Sequence, residues 1–520
     1  MAPASEPSTQ GRHFFHNVLW GWAGVIFSLI AGIFLSAYLI HHLGDERYGI
    51  WALAFSLAEY FGLVDLGFRS AVVKYTAHYR ATGDLARLEE LISTGLTYFT
   101  IAGAAVFVAS LAVARNITWL FPHVLPRDLA PFRFLTVTVG IGFALAVVFS
   151  ACTAVLEAYQ RFDMVSRIMI VTNGLRVAGC FSVVYMGYGL RALGICVLAS
   201  QIVGYALTYR AMRTVLPGRT FTPRKASLSE ARQMMRYGAH SFLAGTSLMV
   251  LNQDAMVLIG HFLSEALVAY YSFPLRLLSY SVDLIGRVGV VTGSKAAELT
   301  AYGDLSGISR MAVLANRYSL MMFFPLAAYL SIFGRQLLQV WINPGFAANS
   351  APLLPVLGAG VVIAVAAQFN SSAVLYGLAK HDSLARAQFI EAVLSVAGLW
   401  YVIPRHGILG AAYVVTGLMI VSRGLYVPYV VSRHVGLSFA AYLRGIYAKP
   451  AAILAPVAAV AWLANRVLGE PASWLVALGG GAAMAACYYA IVFFWGIEAG
   501  HRKMVRNWAI DGLRAIKLAH

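Results

Sequence analysis

Apolar runs long enough to cross a lipid bilayer, about 20 residues each, recur from residue 17 almost to residue 497 with only short polar breaks between them. Such a chain has few choices. In hydrocarbon every backbone N–H and C=O must be satisfied within its own segment, so each run is read as a helix. The runs are 17–40, 48–73, 91–114, 132–156, 165–188 and 190–212, then 237–260, 267–291, 311–333, 352–378, 384–403 and 407–428, and last 448–467 and 472–497. They predict an all-α polytopic membrane protein with about fourteen transmembrane helices. The composition agrees, with 60% hydrophobic and 12% charged residues and a mean hydropathy of +0.71, against roughly 25% charged residues in soluble domains. At roughly 37 residues per span and loop, no soluble domain of about 50 residues fits between spans. The first run, about 24 residues, exceeds a signal-peptide core and reads as an uncleaved span.

The formal charge of +17 does not point to nucleic acid, because basic residues crowd alternate loops. Arg161 and Arg167, the run from Arg210 to Arg236, then Lys380 and Arg386 are examples, whereas the intervening loops hold few, such as Arg191, Arg335 and Arg466. This asymmetry encodes orientation and places both termini in the cytoplasm. The expected organisation is a cytoplasmic tail 1–16, a six-helix bundle 17–212, a basic cytoplasmic linker 213–236, a second six-helix bundle 237–430, two extra helices 448–497 and a basic cytoplasmic tail 498–520. Within the linker, SLSE (Ser227–Glu230) has the capping-box pattern and predicts a short amphipathic helix running along the cytoplasmic surface into the seventh span.

Sliding the sequence by 220 residues aligns His41 with His261, Tyr60 with Tyr280 and GDL (83–85) with GDL (303–305). At 219, VLEAYQRFDMVSR (155–167) aligns with VLYGLAKHDSLAR (374–386). Near-constant offsets across separate loops predict a duplicated six-helix unit. An even number of spans per unit makes the repeat parallel, with the expected site between the halves and alternating access as the mechanism.

No GxxxxGK[ST] loop, HExxH or CxxC is present, and Cys152, Cys180, Cys196 and Cys487 have no metal or redox spacing. Neither an enzyme nor a bound cofactor or metal is expected. Ionisable residues inside spans cost roughly 2.5–3.5 kcal/mol each at a helix centre, so each is a functional candidate. They are Glu59, Asp65 and Arg69 in the second span, Arg176 in the fifth, Asp254 beside Asn252 and Gln253 in the seventh, and Arg276, Asp283 and Arg287 in the eighth. Arg276 lies near the midplane next to Pro274, which frees a carbonyl and bends its helix. It is expected either to line a cavity or to be satisfied by that carbonyl or a neighbouring carboxylate. Asp254 either binds a coupling cation, Na+ or H+, or anchors packing by hydrogen bonds. Asp65 with Arg69, in VDLGFR (64–69), and Asp283 with Arg287, in VDLIGR (282–287), are i, i+4 pairs near the cytoplasmic mouth that are expected to neutralise themselves and to act at an entrance or gate. The tail 501–520 is amphipathic and basic, and is expected to anchor on the cytoplasmic leaflet.

The stretches LGDERYGIWALAFSLAEYFGLVDLGFRSAVVKY (43–75), QRF (160–162) and NQDAMVLIGHFLSEALVAYYS (252–272) resemble the polysaccharide transporter family of lipid-linked oligosaccharide flippases, in the multidrug/oligosaccharidyl-lipid/polysaccharide exporter superfamily. That resemblance implies translocation of an undecaprenyl-diphosphate-linked oligosaccharide to the periplasmic leaflet of a bacterial inner membrane, with polysaccharide polymerase and assembly proteins as partners. It further implies a cationic cavity on helices one, two, seven and eight, to which Arg276, Arg287 and Arg69 correspond by helix and depth. In the first helix only Arg12, His13 and His16 are offered, near its entrance. Arginine suits a diphosphate, pairing bidentately without losing its charge, and Tyr60, Phe61, Tyr270, Tyr271 and Tyr280 are available to stack on sugars. The alternative is a cation-coupled multidrug exporter of the same superfamily, in which Asp254 or Asp65 holds a cationic substrate.

Overall fold

The two Gly-Asp-Leu copies make the same turn. In the computed structural model, which describes residues 27, 30–65, 67–365, 370–378, 380, 382–468 and 472–503, Gly83 and Gly303 sit at φ 73° and 71°. That left-handed conformation is cheap only without a Cβ. Asp84 and Asp304 then cap the next helix, each accepting the backbone N–H three residues on, at 3.1 and 2.9 Å. Behind them Asp84 N–H donates to Tyr79 C=O and Asp304 N–H to Leu299 C=O, both at 3.0 Å. The loops aligned at 219 also correspond: Arg161 N–H reaches Leu156 C=O at 2.9 Å and Lys380 N–H reaches Leu375 C=O at 2.8 Å.

Among the described residues the regular structure is entirely helical. In chain order the helices are α1 (Ile30–Leu43), α2 (Asp45–Glu59), α3 (Phe68–Thr82), α4 (Leu85–Arg115), α5 (Ile117–Leu120), α6 (Pro126–Ala158), α7 (Phe162–Tyr185) and α8 (Leu190–Val215). After the linker come α9 (Leu228–Phe262), α10 (Glu265–Ala301), α11 (Leu305–Trp341), α12 (Pro344–Ser350), α13 (Leu353–Val365) and α14 (Ser372–Gly377). Last are α15 (Asp382–Met419), α16 (Val427–His434), α17 (Phe439–Leu468) and α18 (Gly480–Ile491).

Eight of the described helical stretches are long and apolar enough to cross a membrane, and ten if two bent pairs each count as one crossing. Among the described residues the count stays below the expected fourteen, for three reasons. The first expected span lies largely before residue 30, outside the described residues. Helix α10, at 37 residues and about 55 Å long, carries charges that dilute its apolarity, and part of the apolar stretch of α9, 35 residues long, lies outside the residues whose side chains are described. The stretch Asp382–His434 counts once as 53 residues, although Gly407, at φ 60° and ψ −154°, interrupts it.

By packing, the chain divides into two compact units, Met1–Phe273 with Gln388–Ala411, and Pro274–Ala387 with Ala412–His520. The division runs through α10. In the first unit Phe68, Leu91, Phe99, Val106, Val155 and Met234 form a core from α3, α4, α6 and α9. In the second, Ile308, Leu320, Val374, Tyr442 and Tyr488 bring α11, α14, α17 and α18 together, so the C-terminal helices are part of that unit's core.

The linker differs from its expected form. No separate surface helix precedes the seventh span; α9 starts at Leu228 and continues unbroken to Phe262. The capping box does not close, because Ser227 Oγ bonds to Ser229 Oγ at 2.7 Å and Glu230 instead accepts from the Tyr79 hydroxyl at 3.0 Å. Glu89 of α4 holds the linker down, pairing with Arg219 at 2.9 Å and Lys225 at 2.7 Å.

Candidate functional site

VDLGFR is where the structure departs most from the sequence reading. The expected continuous span 48–73 is broken: α2 ends at Glu59, residues Tyr60–Asp65 form a 3-10 turn, Gly67 takes φ 76° and ψ 8°, and α3 leaves at 46°. A break frees backbone carbonyls, which hydrocarbon cannot satisfy. Tyr98 of α4 donates its hydroxyl to the Val64 carbonyl at 2.6 Å, and its ring stacks on Phe68 with centroids 3.7 Å apart. Asp65 and Arg69 do not form the expected side-chain pair. Asp65 Oδ1 accepts the backbone N–H of Arg69 at 3.1 Å, while the guanidinium pairs with Glu157 of α6 at 2.5 Å.

The second copy behaves differently. VDLIGR lies inside the continuous α10, with Ile285 where the first copy has Gly67, and a β-branched residue does not adopt the left-handed turn. The side chains of Asp283, Arg287 and Tyr280 lie outside the described residues.

A second polar cluster joins α2 to α9 within the first unit. Gln253 donates its amide to the Glu59 carboxylate, and its own carbonyl oxygen Oε1 is buried with no hydrogen-bond partner. Next to it Asp254 is 3% exposed. Asp254 Oδ1 accepts the Ala255 N–H at 2.7 Å, and the carboxylate lies within electrostatic reach of the Tyr60 and Tyr271 hydroxyls. Ser56 Oγ donates to Met256 Sδ at 3.4 Å along the same seam. Of the sequence candidates, then, Glu59 and Asp254 are brought together, and Asp65 and Arg69 stand at the adjoining break.

The other candidates are placed separately. Arg276 is exposed on α10, two residues past Pro274, in the second unit. Arg176 is half-buried on α7 and interacts electrostatically with Cys180. Arg12, His13, His16 and the tail from residue 504 lie outside the described residues.

Sequence reasoning passed over Glu157, the partner of Arg69; its signal was a lone acid at the end of an apolar run, one turn before QRF. It also passed over a buried network in the second unit. There Asn316 Nδ2 contacts Ser371 Oγ and Tyr442 OH, both at 3.0 Å, and Asn370 accepts from Thr292 at 3.0 Å while donating to Ser319 at 2.8 Å. Asn, Ser and Tyr carry no charge, so they do not stand out in an apolar run.

These features define a polytopic helical membrane fold with Asp65, Arg69 and Glu157 gathered at a break between two of its helices. Residues 42–345 match the family described as "Polysaccharide biosynthesis protein", and the chain belongs to that family. It is 22% identical over 510 residues to the uncharacterized membrane protein EpsK of Bacillus subtilis (strain 168), covering 92% of this chain and 95% of that one. It is likewise 22% identical over 412 residues to a putative O-antigen transporter of Shigella flexneri, covering 76% and 92%. Among solved structures it is similar to the lipid II flippase MurJ in an inward closed conformation, with a TM-score of 0.71 at 13% identity over 92% of this chain and 99% of that one. An inward-facing multidrug resistance MATE transporter of the MOP superfamily follows, with a TM-score of 0.68 at 14% identity over 79% and 95%. The fold is therefore that of MOP-superfamily transporters. The named relative and these solved neighbours are thus a putative transporter, a flippase and a transporter.

Proposed function

We propose that the protein is a flippase that moves an undecaprenyl-diphosphate-linked oligosaccharide from the cytoplasmic to the periplasmic leaflet of a bacterial inner membrane, for cell-surface polysaccharide assembly. The observation that carries this reading is membership of the polysaccharide biosynthesis family over 42–345, together with the likeness to a putative O-antigen transporter along 92% of that protein's length. Fourteen spans in two parallel six-helix repeats plus two helices, both termini cytoplasmic, is the layout we infer, supported by the matching turns at 83–85 and 303–305. Alternating access follows from that layout.

In this reading Arg276, Arg287, Arg69 and Arg176 attract the diphosphate, and Asp65, Asp283, Asp254 and Glu59 gate the path or carry a coupling Na+ or H+. Polysaccharide polymerase and assembly proteins are the expected downstream partners. The specific test is Arg276→Ala, which should abolish glycan export while the protein still reaches the membrane; unimpaired export removes Arg276 from the site. Deleting the gene should leave lipid-linked sugars accumulating on the cytoplasmic face. One observation favours the runner-up, a cation-coupled multidrug exporter: the Glu59, Gln253 and Asp254 cluster presents a buried carboxylate, Asp254, beside the exposed Glu59, which suits a cationic substrate, and the MATE neighbour has this fold.

A further inference from the structure

The end of α2 that carries LGDERYG holds four carboxylates and two guanidiniums in one place. Arg47 Nε pairs with Asp128 at 3.3 Å, and Arg127 pairs with Glu46 at 2.6 Å and with Asp128 at 3.3 Å. Tyr270 donates to Asp45 at 2.7 Å. Both arginines are thereby engaged, and the fourth carboxylate, Glu265, is left without a cation among the described residues. It is 3% exposed. Neither of its oxygens makes a well-directed hydrogen bond, although the backbone N–H groups of Glu265 itself and of Leu125 lie close by.

Glu265 also stands at a contact that cannot give. Gly49 of α2 packs so closely that a Cβ there would lie 1.7 Å from the Glu265 carbonyl oxygen. A charge appearing on this side chain is therefore felt by both helices. The charges that act on it are Glu46 of α2 and Asp128 of α6; these are paired with Arg47 and Arg127, and the neighbouring Asp45 is bonded to Tyr270 of α10. His261, at the last turn of α9, is turned to the Leu120 carbonyl at 2.6 Å.

We propose that Glu265 is a proton-binding site that fastens α10 to α2, holding the contact when protonated and loosening it when ionised. Burial, assisted by Glu46 and Asp128, raises the affinity of this carboxyl for its proton above the ordinary carboxylate range. With the orientation inferred above, the site faces the extracytoplasmic side and reads the pH there.

The sign follows from linkage. A carboxyl whose folded-state pKa is raised costs nothing below the ordinary carboxylate range, and stability then falls as pH rises from that range through the folded value. The test uses the purified full chain in detergent, with its unfolding temperature followed from about pH 4 to pH 8. The wild type should lose stability relative to Glu265→Gln across that interval, and parallel profiles overturn the proposal. Because Glu265→Gln is open to misfolding, a second measurement keeps the native residue: a hydrophobic carbodiimide, which reacts with protonated buried carboxyls, should label Glu265 at about pH 4 and lose at least about tenfold of that labelling by about pH 8, the fall lying at higher pH than for an exposed carboxyl. Labelling that does not change between the two pH values, or is absent at both, overturns it.

Discussion

Gly49→Ala tests the packing of α2 on α10 directly. A Cβ at 49 would sit 1.7 Å from the Glu265 carbonyl oxygen and 2.4 Å from its carbon, whereas real Cβ atoms essentially never come within 3.0 Å of a neighbour. Backbone cannot swing aside as a flexible side chain can, so the helices must part by about 1.3 Å or more. The Tyr270–Asp45 hydrogen bond, 2.7 Å long, would then open to about 4 Å and be lost. Overpacking of this kind costs about 1–3 kcal/mol, and losing a hydrogen bond to a charged group about 1.5–3 kcal/mol. Since one displacement causes both, about 3 kcal/mol is a reasonable total. The assay is thermal unfolding in detergent, alongside Gly417→Ala as control: Gly417 is helical, exposed and has no atom within 4 Å of an added Cβ. The control should be neutral or stabilise by up to about 1 kcal/mol, while Gly49→Ala should lower the unfolding temperature by several degrees. If the two variants unfold together, the close approach of α2 and α10 is wrong.

Two further outcomes concern the break and the linker. Tyr98→Phe keeps the stack on Phe68 but leaves the Val64 carbonyl unsatisfied, and should destabilise by about 1–3 kcal/mol; an unchanged unfolding temperature would show that the carbonyl finds another partner. Lys225, with Arg219, holds the Glu89 carboxyl below its ordinary range, so its contribution is fully present above that range and is lost as pH falls from there through the lowered folded value. Proteolysis of the linker should therefore speed up on acidification in the wild type but not in Glu89→Gln, and equal acid responses would dissociate Glu89 from linker docking.

What the sequence alone determined is whatever depends on solvent and on local chemistry. Long apolar runs are helices in lipid, and the repeated Gly-Asp-Leu makes a left-handed turn and a cap at both 83–85 and 303–305. The functional candidates were legible for the same reason, since a charge in hydrocarbon is conspicuous.

Partners were not legible, because they are chosen by packing across long sequence separations. Asp65 and Arg69 are four residues apart, yet Gly67 breaks the helix between them and Glu157, 88 residues away, takes the guanidinium. SLSE has the letters of a capping box, but Tyr79 lies within reach of Glu230 and takes its carboxylate. Nothing along the chain marks out Glu265; the fold places it beside Glu46 and Asp128, with both nearby arginines already engaged. Only tertiary structure decides which charge meets which, because electrostatic energy depends on distance in space and on burial, and neither is written in the spacing of residues along the chain.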